Sequence, residues 1–283
     1  LYLLTRLLLS STTRIGVENP CFREAINTFL LADAEVVPHP VDEEGIVLIE
    51  RPCDYYYVTP GHQVPTGVTM SSARRRQLLE HAARHDAVII EDDYDSESNF
   101  TLNPLPALKA SDRSGRVVYV SSLSKALSPG LRLGFMVADP DLIDEARALR
   151  RLVYRHPPTN IQYQMAHFLA QGHYETHLRR YHYDSAQRWE RLHAALQRYL
   201  PSCRALAGSE HANAFWLQTP AQINTQQLTW RAAHAGVLIE PGARHFLSAA
   251  PPDNYFRMGF HAINPDAIAQ GVEVLRGQLE QMG

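Results

Sequence analysis

The sequence predicts an α/β fold, with a large domain on a mostly parallel sheet over residues 1–160, then connecting helices and a smaller C-terminal α+β domain over 161–283. Two observations predict it. Short apolar runs alternate with helical patterns through the first half, as strands joined by crossover helices do. Near residue 160 the pattern changes to long amphipathic helices, after which short strands and two helices complete the chain. At 283 residues, 45% hydrophobic and 20% charged, the composition is that of a folded chain with a sizeable core.

The opening LYLLTRLLLS reads as a helix, because Leu1, Leu4, Leu7 and Leu8 recur on one face. It has no cap and needs a start upstream, so we read the chain as a piece of a longer protein whose large domain begins earlier. Strands are expected at RIGVE (14–18), AEVVPH (34–39), CDYYYVT (53–59), AVIIE (87–91), RVVYVS (116–121) and RLGFMVA (132–138), all rich in β-branched and aromatic residues. Between them, 71–85 and 140–155 carry helical patterns. The second half opens with two helical stretches, IQYQMAHFLAQ (161–171) and a longer one over 175–200. NAFWLQ (213–218), GVLIEP (236–241) and YFRMGF (255–260) then read as short strands.

Several function classes lack support. A net charge of −3 with a pI near 6.6 supplies no basic field for nucleic acid or an anionic membrane. No stretch reaches the roughly 18 apolar residues of a membrane span. Cys21, Cys53 and Cys203 are scattered and odd in number, which fits a reducing, cytoplasmic setting better than a disulfide framework or a CxxC motif. His81 with His85, and His173 with His177, share helix faces but lack the glutamate that follows the first histidine of a zincin, so no metal is expected. The arginines at 147, 150, 151 and 155, and Arg74 to Arg76, read as solvated faces before they read as DNA contacts. GxSxG, P-loop and dinucleotide fingerprints are missing from the sequence.

Two motifs carry chemistry. EDDYDSE, residues 91–97, places Glu91, Asp92, Asp93 and Tyr94 where a buried strand ends, the position at which open α/β sheets bind ligands. Alone, such a run could equally be a solvated acidic turn. SSLSKALSPGLRLGFMV, residues 121–137, then offers Lys125. A carboxylate for a pyridinium nitrogen and a lysine for a Schiff base are the minimum a protein contributes to pyridoxal 5'-phosphate chemistry. Ser122, Ser124 and Arg132 add hydroxyls and a guanidinium fork suited to the cofactor's phosphate.

These motifs, with TPGHQVPTGVTMSSARRRQLLEHA before them and NYFRMGF after, resemble the aminotransferase-like domain of MocR/GabR-type transcriptional regulators of the GntR family. The resemblance covers nearly the whole chain and implies a fold-type-I, class I/II aminotransferase module. It implies that Lys125 forms the internal aldimine, that Asp92 pairs with the pyridine nitrogen and that Tyr94 reaches the ring hydroxyl. Arg132 and Ser122 match the family's phosphate contacts, and Phe22 stands where an aromatic ring stacks on the cofactor, although it could equally be core. Arg257 matches the arginine that takes the acid group of an amino compound, with a structural ion pair as its competitor. Val64 stands where stand-alone aminotransferases have asparagine, so His62 or Gln63 would have to supply that hydrogen bond. Glu24 stands where the 4-aminobutyrate-sensing pattern has arginine, which argues against 4-aminobutyrate as the ligand. A glycine and hydroxyl-rich turn of the phosphate cup is expected upstream of Leu1. The implied function is a sensor of an amino acid or amine, a homodimer acting on DNA through an N-terminal winged helix-turn-helix not present in this chain. A working aminotransferase is the alternative.

Overall fold

The computed structural model describes residues 1–98, 104–205 and 214–282. Helix α1 (Tyr2–Leu8) leads into β1 (Arg14–Asn19), α2 (Arg23–Leu30), β2 (Glu35–Asp42), β3 (Gly45–Ile46) and β4 (Tyr55–Val58). Then come α3 (Ser72–Arg84), β5 (Val88–Asp93), α4 (Leu108–Ser111), β6 (Val117–Ser122) and β7 (Gly134–Val137). These strands form a seven-stranded sheet in the order β3-β2-β1-β4-β5-β6-β7. The inner pairs β2·β1, β1·β4, β4·β5 and β5·β6 are parallel, as the alternation of strands and helices predicts.

Both edges reverse direction, which the periodicity does not reveal. Gly45, at φ +108°, turns the chain tightly from β2 into antiparallel β3. Residues 123–133 return β6 into antiparallel β7 without a crossover helix, and the loop is closed by the Leu123 amide donating to the Leu133 carbonyl at 3.0 Å.

The sheet is buried on both faces, and the two-residue period sorts its side chains. Tyr57, Ile90 and Val118 face one way, packing with Leu4, Ile26 and Phe29 of α1 and α2. Tyr56, Val58, Ile89 and Val117 face the other, against Leu78 and Ala82 of α3 and Leu108 of α4.

Helix α5 (Pro140–Tyr154) starts on Asp139, whose carboxylate accepts from the Asp141 amide at 3.0 Å, with Pro140 in the first turn. Helices α6 (Thr159–Ala170) and α7 (His173–Tyr199) follow, and the latter, at 27 residues, is about 40 Å long at 1.5 Å rise per residue. The remainder is β8 (Arg204–Ala205), β9 (Ala214–Gln218), α8 (Thr225–His234), β10 (Glu240–Pro241), β11 (Tyr255–Gly259) and α9 (Ile268–Glu280). Its antiparallel sheet, β10-β11-β9-β8, packs Phe215, Leu217 and Phe256 against Leu192, Leu196, Leu228, Val272 and Leu275 of the helices. Asn213, at the start of the expected NAFWLQ strand, lies outside the described residues.

The expected GVLIEP strand shrinks to its last two residues. Gly236, at φ +86°, and Val237, whose amide donates to the Ala232 carbonyl at 2.8 Å, are used to close α8. No described helix is long and apolar enough to cross a membrane.

Candidate functional site

The end of β5 explains how one acidic run serves several purposes. Successive side chains point to opposite faces. Glu91 and Asp93 lie on the α3 and α4 side: Glu91 accepts from the amides of Leu108 and Lys109 at 2.6 and 2.8 Å, starting α4, and Asp93 accepts from the Tyr119 hydroxyl at 2.8 Å. Asp92 and Tyr94 line a cavity of about 280 Å³ on the opposite face. The Tyr57 hydroxyl donates to Asp92 at 2.7 Å, and burial pushes the Asp92 carboxyl upward while this hydrogen bond opposes it. Beneath it, fully buried Glu18 accepts from the Thr59 amide and hydroxyl at 3.1 and 2.7 Å; burial pushes it up to about 7 despite those bonds.

Lys125 sits on the closed loop between β6 and β7. Its Nζ lies 4.4 Å from the centre of the Tyr94 ring and 2.7 Å from Asp95 Oδ1. Burial lowers the lysine's pKa and Asp95 works against that shift. His177 of α7 contacts the Ala126 carbonyl through Nε2 at 2.7 Å and ties the loop to the long helix.

At the end of β6 the Ser122 hydroxyl accepts from the amide of Ser124 in this loop at 3.2 Å. Arg132 is exposed and holds φ +51°, ψ +37°, a left-handed conformation that a side chain with a Cβ seldom adopts. Strain of this kind gathers where a side chain has to be aimed.

The cavity wall brings together Phe22, Asp92, Tyr94 and Arg257, three of them from the large sheet and its loops and one from β11. Phe22, 37% exposed at the start of α2, is therefore wall and not core. Arg257 is opposite Glu240 in the β10·β11 register and 3.3 Å from its carboxylate. Glu240 also meets Arg244 at 3.5 Å and His245 at 3.4 Å, and Arg244 reaches Glu24 at 3.1 Å. His245, with Arg257 and Arg244 beside it, holds the Glu240 carboxyl down at about 2 against burial. The structural ion pair weighed for Arg257 is thus present, and the arginine faces the cavity as well.

His62 and Gln63 are not on this wall. The Gln63 amide is committed behind it, donating to the carbonyls of Pro20 and Val64 at 2.7 and 2.6 Å and accepting from the Thr66 hydroxyl at 2.6 Å. The buried His62 ring meets Asp95 at 2.8 Å, and its backbone carbonyl accepts from the Tyr94 hydroxyl at 3.1 Å. Sequence reading passed over Asp95, Tyr57, Glu18, Glu240 and Arg244. The alternation along EDDYD would have separated Asp92 from its neighbours, but the last two stand more than 200 residues from Glu24 and left no local signal.

His81, for which no metal was expected, is a core residue bonded to the Tyr56 hydroxyl at 2.7 Å. Among the described residues, no group of three or more His, Cys, Asp or Glu side chains could hold a metal.

An amine, a buried carboxylate at a strand end, an aromatic wall and a hydroxyl-and-guanidinium loop are the donor types that a pyridine aldehyde phosphate requires; Phe22, Asp92, Tyr94 and Arg257 line the cavity, whereas Ser122, Ser124, Lys125 and Arg132 are not among its lining residues. The family model "Aminotransferase class I and II" matches residues 1–275, and the chain belongs to that family. Pyridoxal 5'-phosphate is the cofactor of this fold. The chain is similar to the HTH-type transcriptional regulator TauR of Rhodobacter capsulatus, at 37% identity over 96% of this chain and 56% of the relative. It is similar to the probable rhizopine catabolism regulatory protein MocR of Rhizobium meliloti, at 34% identity over 97% of this chain and 56% of the relative. It therefore spans little more than half the length of these relatives. Among solved structures it superposes on LysN, the α-aminoadipate aminotransferase of Thermus thermophilus complexed with N-(5'-phosphopyridoxyl)-L-leucine, with a TM-score of 0.92 and 26% identity over 99% of this chain and 74% of that one.

Proposed function

We propose that this chain is the pyridoxal-phosphate-binding, effector-sensing domain of a MocR-type transcriptional regulator. The observation that carries the reading is the 37% and 34% identity to two regulators over nearly the whole chain, against 26% to an aminotransferase of the same fold.

In this reading Lys125 bonds covalently to the cofactor's aldehyde carbon, and Asp92 keeps the ring nitrogen protonated. Tyr94 approaches the ring oxygen, Phe22 covers a ring face, and Ser122, Ser124 and Arg132 hold the phosphate. His62 acts from behind, through Asp95 and Tyr94, and Gln63 braces the loop. The cofactor contributes an electrophilic carbon that an amino compound can occupy in place of lysine. Arg257 takes the acid group of that compound, so an amino acid or related amine is the effector class. The boundary between the two domains falls near residue 160, and the cavity is walled from both, with Glu240, Arg244, His245 and Arg257 coming from the smaller one. Effector binding changes the activity only through its different affinity for two arrangements of the domains. The protein works in the cytoplasm as a homodimer and engages DNA through an N-terminal winged helix-turn-helix.

The test is a DNA mobility assay on the full-length protein with its own promoter region, with and without pyridoxal phosphate and a panel of amino acids. DNA binding that shifts with cofactor and amine supports the sensor. Amino-group transfer to a keto acid with no DNA binding would make the chain part of an aminotransferase instead.

A further inference from the structure

Asp95 is the most tightly placed charged group near Lys125, and it is outside the cavity. Its side chain is 2% exposed and the His62 ring 3%. One oxygen meets Lys125 Nζ at 2.7 Å and the other meets His62 Nδ1 at 2.8 Å. A carboxylate this deep needs compensating charge, and Lys125 supplies it. Along β5 and its extension, Asp95 continues the side of Glu91 and Asp93, whereas Asp92 and Tyr94 face the cavity. Nζ is thus drawn to Asp95, and neither residue is among those lining the cavity that Asp92 faces.

We propose that Asp95, braced by His62, is the resting counter-ion of Lys125: it holds the ammonium whenever the lysine is not bonded to the cofactor, and so favours handing the cofactor to an incoming amine. The inference rests on the assignment of Lys125 above. In the exchange, one C=N bond forms to the incoming nitrogen and one breaks to Nζ. The two protons that the incoming ammonium sheds on forming its own protonated imine both end on Nζ, and the new lysine ammonium settles on Asp95. Loading the cofactor breaks the ion pair, and exchange restores it. Burial lowers Asp95's affinity for charge, but Lys125 and His62 together outweigh it and hold the carboxyl well below its usual range. The other charge acting on Nζ is Arg257 of β11, and His261 beyond it is held down at about 4 by burial; neither offers a negative partner.

Asp95→Asn keeps the shape and removes the charge. The chain's two lysines, Lys109 and Lys125, make the outcome readable by mass spectrometry after borohydride reduction. Full-length protein is loaded with pyridoxal phosphate, titrated with methylamine as the probe amine, reduced, and mapped for cofactor left on each lysine. The Asn variant should hold cofactor on Lys125 at about tenfold lower free pyridoxal phosphate, and about tenfold more methylamine should be needed to remove half of it. Asp95→Glu, which restores the charge, should return the methylamine midpoint towards wild type. Midpoints for Asp95→Asn within about twofold of wild type, or weaker loading, would overturn the proposal. Should the Asn variant not fold, the cofactor-free Lys125→Met protein decides. Losing the ammonium beside a buried carboxylate should shift its unfolding equilibrium by about tenfold or more towards unfolded, and an unchanged equilibrium would refute the pair. Wild-type cofactor found on Lys109, or on neither lysine, would instead refute the reading of Lys125 itself.

Discussion

Replacing Arg75 with methionine should destabilise the protein by about 4 kcal/mol, although nothing in the sequence distinguishes this arginine from its neighbours. The side chain is buried in the first turn of α3, and its guanidinium donates to the carbonyls of Met70, Pro106 and Pro60 at 2.9, 2.7 and 2.9 Å. It thus joins the start of α3, the loop after β4 that carries His62, and the loop before α4. Methionine fills much of the volume but leaves the Met70 and Pro106 carbonyls without these donors, at roughly 1–3 kcal/mol each, less whatever water recovers, while the Pro60 carbonyl keeps the Met70 amide at 2.9 Å. Glu91 and Asp93, both pushed up by burial, also lose their positive neighbour. Arg75→Lys keeps the charge but replaces a planar fork with a compact donor, and should recover about half of the loss. Urea unfolding of each variant, followed by far-UV circular dichroism, measures both. A loss below about 1 kcal/mol for Arg75→Met, the range of solvated side chains, would refute the reasoning.

Other perturbations test the cavity and its supports. Gly242→Ala would put a Cβ 2.6 Å from the Tyr255 carbonyl and 2.7 Å from the Trp216 ring, so its unfolding midpoint should fall by the equivalent of about 2 kcal/mol. Glu18 gives a pH signature of definite sign. Its folded pKa, near 7, is above the ordinary value of 4.5, so the folded state binds the extra proton and the associated stability declines as pH rises from 4.5, levelling off above 7. Unfolding free energies of Glu18→Gln should therefore lack that decline, falling less with rising pH than those of wild type over the window. The lowered pKa values of His39 and His81 act oppositely, costing stability as pH falls below 6.5. Arg257→Ala should retain the cofactor, judged by visible absorbance, and lose most of the DNA response to the effector; loss of both would remove the arginine from its proposed role.

Much of the large domain was legible because its strands are short apolar runs bounded by helices with the right period. The reversals at β3 and β7 were not, since strand direction depends on whether a helix fills the connection. Charge runs were the least legible. Arg74 to Arg76 looked like a solvated face, yet Arg74 bonds the Gly45 carbonyl at 3.1 Å and the Asp42 carboxylate at 2.8 Å, while Arg75 is buried. Which face of α3 meets the sheet decides this, and hydropathy assigns arginine to water. In EDDYDSE the chemistry was visible, but the division of labour among Glu91, Asp92, Asp93 and Asp95 came from the strand's alternation. The Glu24, Arg244, Glu240 and Arg257 network joins residues from opposite ends of the chain, and only the fold brings them together.

The most direct test of the account is where the cofactor bonds. Full-length protein incubated with pyridoxal phosphate, reduced with borohydride and mapped by peptide mass should carry the reduced cofactor on the peptide holding Lys125, and Lys125→Ala should carry none. Modification confined to Lys109, or undiminished in Lys125→Ala, would contradict it.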